Sequence, residues 1–503
     1  MNIFLNSGLY DSNSGVEHAQ FYRMKAFQGI GEPVKLVYSA LLPKLHEHMA
    51  LFDLKEEQVL NLYDWAMADD PDQYLRSGLT GTERADYKRE VVKDFTQTNR
   101  TVTEQATGGY TIVRRKEKVY REDKKLYLVS DAQVELSRGD RRLSWSYDRL
   151  LDDKVMVAIH LENFCGQDYY FQNFYELLSF FMGALEKAFG PATYFLDRER
   201  DYDEYLVQKK QEGADNRLVS VIHAGHRVEQ VGGRQVFNQF YQFVLDHADA
   251  YDKIVVATKR QAADLKEDLG ERLGKTRAEN LVAALPVGFV ADQVDRPTDQ
   301  LVYSRPRFET DPLHLVTASR LHQEKHIDQL IDVVAKLKDQ EVAAKLTIFG
   351  RGPEKEALEG QVEKAGLQEE VVFAGVSDNL EDDFAEYDCY VSASYSEGFG
   401  LTYLEAMNAG LPVVTYANEY GAKELIDSGK NGLLVAFSKD EENREANVSG
   451  MVQALLEARA QLADLQEGAF KSVKAYGLSK VQKSWQKLLA EIKKGDNHAN
   501  SVD

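Results

Sequence analysis

Two blocks of this chain repeat one pattern: a short apolar run, a polar or glycine-bearing loop, then a stretch of helical period. In the first block, Met1–Asn6 leads through a loop ending at Gly15 into Val16–Phe27 and on to Val34–Ser39. The pattern returns at Thr193–Leu196, Leu218–Ile222, Ile254–Ala257 and Leu281–Val290. In the second, His314–Ser319, Ala344–Phe349, Val371–Phe373, Asp388–Ser392 and Leu411–Thr415 alternate with helical stretches such as Ile327–Leu337 and Glu354–Ala365. Strands joined by helical crossovers pair in parallel, which predicts an α/β chain with parallel sheets and ligands beyond the carboxyl ends of their strands. Helices over Arg234–His247 and Gln261–Leu269 are expected in the first block. Helical runs over Gly450–Ala475 and Val481–Lys494 close the second. At 503 residues the chain exceeds what one hydrophobic core supports.

The segment 45–204 breaks the pattern. Apart from a helical stretch, Glu47–Trp65, it reads as successive antiparallel strands, Thr111–Tyr120, Leu126–Ser130, Gln133–Ser137, Arg142–Tyr147 and Lys154–His160, with turns such as Arg138-Gly139-Asp140 between them. This is a β-rich insertion. Its strand Val113–Arg121 is strongly basic, as expected of an edge strand whose charge blocks aggregation or of a docking face for a partner or acceptor. The whole chain carries 61 Lys and Arg against 82 Asp and Glu, a net charge of -21, which argues against a general nucleic-acid binder. Two cysteines, Cys165 and Cys389, do not make a disulfide scaffold, so a reduced, cytoplasmic setting is expected. The N-terminus lacks the basic region and apolar core of a signal peptide. The most apolar window, Tyr169–Phe189, has too many polar residues to cross a membrane, and a buried or surface-docked helix is expected there over Asn173–Phe189.

The chemistry concentrates in Glu397-Gly-Phe-Gly-Leu-Thr-Tyr-Leu-Glu405, between a strand and a helix. Gly398 and Gly400 allow the backbone to approach a ligand, and the free amides at the helix start, from Phe399 to Leu401, favour an anion. Arg320 and Lys325 follow an earlier strand of the same sheet, and two cations there neutralise a diphosphate. Glu405 is placed to accept from ribose hydroxyls and Glu397 from a sugar. Gly15 opens a helix in a loop that can touch a phosphate, and His223 stands at the carboxyl end of a strand with His226 close by. No cluster with metal-ligand spacing appears in the sequence, and no cofactor is expected beyond a sugar-nucleotide substrate.

Ala318-Ser-Arg320-Leu through Lys325, Phe349-Gly-Arg-Gly352 and Glu397–Ala406 resemble the motifs of the retaining glycosyltransferases of family 4, which have the two-domain GT-B fold. Ser14–Arg23, together with the β-rich insertion, resembles the catalytic subunits that glycosylate serine-rich adhesins of Gram-positive bacteria. The likeness to teichoic-acid glycosyltransferases with the same kind of insertion is more distant. The resemblance implies an N-terminal Rossmann-like, acceptor-side domain (1–44 and 205–290), the β-rich insertion (45–204), a linker (291–312), a nucleotide-sugar-binding Rossmann-like domain (313–475) and a C-terminal helix and tail (476–503) that crosses back. By position, Arg320 and Lys325 match the diphosphate pair, Glu397 the sugar glutamate and Glu405 the ribose glutamate. Gly15 matches the loop glycine near the phosphates, and His223 or His226 the histidine near the sugar. Gly398, Phe399, Gly400, Leu401 and Gly375 complete the expected donor site.

The same resemblance implies a UDP-sugar donor, UDP-GlcNAc or UDP-glucose, and retention at the anomeric carbon. The acceptor it implies is a Ser or Thr hydroxyl of a serine-rich adhesin polypeptide, modified in the cytoplasm before export. A GtfB-type non-catalytic subunit is the expected partner, docking partly through the insertion. Oligomerisation and a peripheral contact with the inner face of the cell membrane are expected as well. A polyol-phosphate wall polymer is the alternative acceptor. An inactive sugar-nucleotide-binding scaffold and a starch- or sucrose-type synthase are the weaker readings.

Overall fold

A computed structural model describes residues 1–11, 14–122, 125–148, 155–198, 201–231, 234–292, 312–377 and 379–494. The expected linker and the tail after Lys494 lie almost wholly outside the described residues. The chain divides into two units, Met1–Val221 with Gln239–Lys253, and Ile222–Asn238 with Ile254 onward.

The first unit opens with β1 (Asn2–Asn6), the helix Gly15–Gly29 and β2 (Val34–Tyr38). Ser14 starts that helix through a capping box. Its hydroxyl accepts from the Val16 amide at 3.2 Å, and Glu17 Oε2 accepts from the Ser14 amide at 2.7 Å. The stretch expected to be helical over Glu47–Trp65 is instead two short helices, Leu45–Leu51 and Leu62–Met67, flanking β3 (Val59–Asn61). The Asn61 side chain accepts from the amides of Tyr63 and Asp64, which ends the strand and starts the second helix.

The insertion is a sheet of seven antiparallel strands, each pairing with its sequence neighbour: β4 (Lys88–Lys93), β5 (Asn99–Gln105), β6 (Thr111–Arg121), β7 (Leu126–Arg138), β8 (Arg141–Tyr147), β9 (Met156–Phe164) and β10 (Gln167–Asn173). Ile112, Val134, Leu136, Leu143, Trp145, Ile159 and Leu161 are buried, which makes it a sheet with a packed face. Three strands escaped the sequence reading because β4, β5 and β10 are mostly polar. The first five residues of the Tyr169–Phe189 window, Tyr169–Asn173, are therefore strand. The rest is the helix expected from Asn173 to Phe189; it spans Phe174–Phe189, and Asn173 caps it by accepting from the Glu176 amide at 3.1 Å.

The basic strand β6 is interior, paired with β5 and β7, so the edge-strand expectation is corrected. Its cations from Arg114 to Lys118 have carboxylate partners. Arg114 lies 2.9 Å from Glu104 and 3.1 Å from Asp131, Lys116 lies 3.0 Å from Asp131, and Arg115 and Lys118 lie 3.7 Å from Glu135 and Asp94. After the insertion, β11 (Thr193–Leu196) and β12 (Arg217–Ile222) return to the parallel sheet of this unit, in the order β12-β11-β1-β2-β3. Arg23 of the first helix pairs with Asp197 just past β11, both fully buried, and its guanidinium lies over the Phe4 ring of β1.

The second unit begins with a hairpin, β13 (Arg227–Val231) and β14 (Arg234–Phe237), where the sequence reading expects a helix from Arg234. The parallel pair β15 (Lys253–Val256) and β16 (Val282–Ala284) follows, separated by the helices Lys259–Leu273 and Lys275–Leu281. Six parallel strands come next: β17 (Leu313–Ala318), β18 (Ala344–Phe349), β19 (Val371–Gly375), β20 (Cys389–Ser392), β21 (Val413–Tyr416) and β22 (Gly432–Val435). Their order is β19-β18-β17-β20-β21-β22. Separate buried clusters cover the two faces, one with the helices Ile327–Asp339 and Arg444–Ala460, the other with Leu401–Asn408 and Leu462–Ser472. The strand order reverses between β17 and β20, and loops diverge there to leave a crevice at the carboxyl ends.

Candidate active site

Loops leaving β17 and β20 flank that crevice. After β17 the chain passes Arg320 and forms a short 3-10 turn, Gln323–Lys325. After β20 it runs through Tyr395–Gly400 into the helix Leu401–Asn408. The two loops are joined by an ion pair, Lys325 Nζ to Glu397 Oε1 at 2.5 Å, with both side chains mostly but not wholly buried. Arg320 is exposed and turned to Glu324, also at 2.5 Å. Glu405 lies half-buried in the second turn of the helix.

The glycines of the loop have distinct reasons. A Cβ on Gly398 would stand 1.9 Å from the His223 carbonyl oxygen, so only glycine lets these two backbones touch. Gly400 caps the helix in a left-handed conformation, φ 89°, above the Tyr403 ring. Phe399 is buried beside it, and the amide of Gly421 donates to the Glu397 carbonyl at 2.9 Å. Tyr390 of β20 ties the base of the loop to β17: its hydroxyl lies 2.9 Å from the Ala318 carbonyl and 3.0 Å from Thr402 Oγ1. Burial pushes that phenol up to about 12.

His223 and His226 differ in setting. His223 is half-buried, with its backbone against Gly398. His226 is fully buried, its Nε2 3.1 Å from Asp268 Oδ2 and its ring parallel to those of Phe237 and Tyr420. Burial alone would raise the Asp268 pKa, but hydrogen bonds from His226 and Arg227 bring it below the usual carboxylate range. Gly375 closes β19 at φ 77°, and its carbonyl accepts from the Gly350 amide at 2.6 Å, joining the ends of β18 and β19. Gly15 is the first residue of its helix in the first unit, with no atom within 4 Å of where a Cβ would stand.

Two site residues escaped the sequence reading. His326, directly after Lys325, has a left-handed backbone, φ 47°, and its ring stacks on Tyr395, two residues before Glu397. Burial lowers the His326 pKa, which keeps the stacked ring neutral near pH 7. Tyr395 OH accepts from Gln329 Nε2 at 2.7 Å, and Gln329 Oε1 accepts from Tyr416 OH at 2.7 Å. No sequence signal marked His326: the residue before a helix ordinarily has extended backbone, and its left-handed conformation comes from ending the Gln323–Lys325 turn.

The family model for glycosyl transferases group 1 matches residues 304–468, the span that holds this crevice. Over 97% of its length the chain is 27% identical to the GtfA subunit of the UDP-N-acetylglucosamine–peptide N-acetylglucosaminyltransferase of Streptococcus gordonii, and it covers 98% of that protein. The chain is thus similar to the GtfA subunits over nearly its whole length. A poly(glycerol-phosphate) alpha-glucosyltransferase of Bacillus subtilis is also related, 27% identical over 63% of this chain and 44% of its own. Among solved structures, the pneumococcal O-GlcNAc transferase GtfA in complex with UDP and GlcNAc superposes with a TM-score of 0.73 at 21% identity, over 98% of this chain and 99% of that one. A GtfA/B complex gives 0.72 at 22% identity, with the same coverage. These likenesses establish the GT-B fold expected from the sequence. Among the described residues no helix is long and apolar enough to cross a membrane.

Proposed function

We propose that this chain transfers GlcNAc, with glucose as the alternative sugar, from a UDP-sugar to Ser or Thr hydroxyls of a serine-rich adhesin polypeptide, with retention at the anomeric carbon. The observation that carries the reading is the Lys325–Glu397 pair at the reversal point of a doubly wound sheet, beside the glycine-lined start of the helix Leu401–Asn408. In this reading Lys325 and Arg320 hold the diphosphate, Glu405 the ribose and Glu397 the sugar hydroxyls, with the Phe399–Leu401 amides adding hydrogen bonds to the anion. Gly375 belongs to the nucleotide end. His223 faces the sugar; it is preferred to His226, whose ring is already enclosed and bound to Asp268.

The acceptor hydroxyl attacks C1 of the sugar on the face the diphosphate leaves. The C1–O bond to the β-phosphate breaks with its electron pair going to that oxygen, which takes the hydroxyl proton as the new C1–O bond forms. Stabilisation of the charge developing on the diphosphate by Lys325 and Arg320 is the main catalytic effect. The GtfA homology supports a cytoplasmic chain working with a GtfB-type subunit, and a peripheral contact with the inner membrane face belongs to the same reading.

Purified chain, with and without a co-purifying partner, is to be incubated with radiolabelled UDP-GlcNAc or UDP-glucose and either a Ser/Thr-rich polypeptide or poly(glycerol phosphate). Label is expected on the polypeptide, and Glu397→Gln or Lys325→Ala is expected to reduce it by about 100-fold or more with the fold intact by circular dichroism. Label on the polymer alone removes the polypeptide acceptor. Near-normal transfer by either variant removes the site assignment.

A further inference from the structure

We propose that Asn418, in the loop after β21, is a positioning residue for Glu397, and that it keeps this carboxylate in place when a diphosphate draws Lys325 away. The inference rests on the donor reading above and adds a residue that lies outside the motifs.

Strand pairing carries the first step. β20 and β21 run in parallel, with Tyr390 opposite Val413, Val391 opposite Val414 and Ser392 opposite Thr415. The ladder stops there, and each strand gives way to a loop whose backbone groups need other partners. Asn418 supplies two of them. Its Nδ2 donates to the Ser394 carbonyl at 3.3 Å, and its Oδ1 accepts from the Ala422 amide at 3.0 Å, in the first turn of the helix Gly421–Leu425. Three residues further along each loop, the Gly421 amide donates to the Glu397 carbonyl at 2.9 Å. Ser392 with Thr415, Ser394 with Asn418 and Glu397 with Gly421 are successive rungs of one tie, which runs from the sheet to the residue that bears the carboxylate.

The side chain suits the place. Asn418 is 1% exposed, and its amide both donates and accepts, so it meets a carbonyl of one loop and an N–H of the other. Leaving either group unmet in the interior is costly, which holds the two loops together. The backbones also touch: a Cβ on Gly421 would stand 2.5 Å from the Phe399 carbonyl oxygen and 3.0 Å from Glu397 Cβ.

Sheet order carries the last step. β20 lies between β17 and β21. From the β17 side the Glu397 loop is held by the Lys325 ion pair and by the stack of His326 on Tyr395. From the β21 side it is held by Asn418 and Gly421. A bound diphosphate competes with Glu397 for the Lys325 ammonium and weakens the first hold. The second uses no group assigned to the donor, so it sets where Glu397 stands when the sugar arrives.

The test is isothermal titration calorimetry with UDP, UDP-GlcNAc and UDP-glucose, beside transfer kinetics, on the full chain with its co-purifying partner. Wild type is compared with Asn418→Ala and Asn418→Asp. The Asp side chain still accepts from Ala422 but no longer donates to Ser394, so it isolates the bond to the Glu397 loop. UDP has no sugar for Glu397 to meet, and its Kd is expected within about twofold of wild type in both variants. The Kd of the tighter-bound UDP-sugar, taken as a ratio to that of UDP, is expected to rise about fivefold or more, and kcat to fall about tenfold or more. A ratio within about twofold of wild type, or loss of the folded circular dichroism spectrum in both variants, makes Asn418 a residue of stability alone and overturns the proposal. Wild type that binds neither UDP nor a UDP-sugar overturns the donor reading instead.

Discussion

His326 stacks on Tyr395 with ring centroids 3.8 Å apart and planes 26° from parallel. This contact joins the turn that ends in Lys325 to the loop that carries Glu397, so the ion pair of the site is set by rings behind it. The hydroxyl of Tyr395 anchors the arrangement to Gln329, which is itself buried and bound to Tyr416.

Tyr395→Phe leaves the ring stack and strands the Gln329 amide. A loss of about 1–2 kcal/mol in urea unfolding is expected for a buried donor left without its partner. His326→Gly removes a left-handed strain of about 1–2 kcal/mol and a ring contact of about 0.5–1.5 kcal/mol, so its stability is expected to stay near wild type. Transfer by His326→Gly falls severalfold all the same, because the turn then holds the Glu397 loop by the ion pair without the ring contact. Wild-type turnover in that variant would argue that the stack positions nothing.

Gly398→Ala is expected to cost more in activity than in stability. Its Cβ would meet the His223 carbonyl at 1.9 Å, and separating the two backbones moves the start of the Glu397 loop. A displacement near 1 Å at a catalytic centre costs about 100-fold in rate. Labelled-sugar transfer measured beside a thermal melt separates this from unfolding.

His46 makes the first unit's stability depend on pH. It is 7% exposed, with Nδ1 2.9 Å from Glu56 and Nε2 3.1 Å from Asp64. Burial draws its pKa down, but the hydrogen bonds and charges of Asp64 and Glu56 outweigh burial and raise it from 6.5 to about 9. With the folded value above the unfolded one, the contribution is fully present below pH 6.5 and is lost as pH rises through 9. Urea unfolding is expected to lose on the order of 3 kcal/mol across that window, and His46→Gln to flatten the curve.

Arg114 tests whether the basic strand is structural. Replacing it with Met leaves Glu104 and Asp131 facing each other without their shared cation. A loss of about 2–4 kcal/mol is expected for breaking a largely buried network. Retention of glycerol phosphate by wild type that the variant loses would instead make the strand a polyanion site.

The sequence by itself determined the strand–loop–helix units, the β-rich insertion between them and the motif residues Arg320, Lys325, Glu397 and Glu405. These are local properties, written in the period of apolar residues and in the glycines of a single loop. Local pattern also misled where partners decide. β3 hides in a helical stretch because Val59–Asn61 is held by β2 and by an Asn61 cap, and β14 replaces the start of a helix because β13 pairs with it. Only the tertiary structure placed Lys325 on Glu397, seventy-two positions apart. It alone put Gly398 against His223, matched the cations of β6 with carboxylates on β5, β7 and the Asp94 turn, and brought Tyr395, Tyr420 and Phe437 to one cavity. Each of these depends on which strands are neighbours, and strand order is set by packing between distant segments.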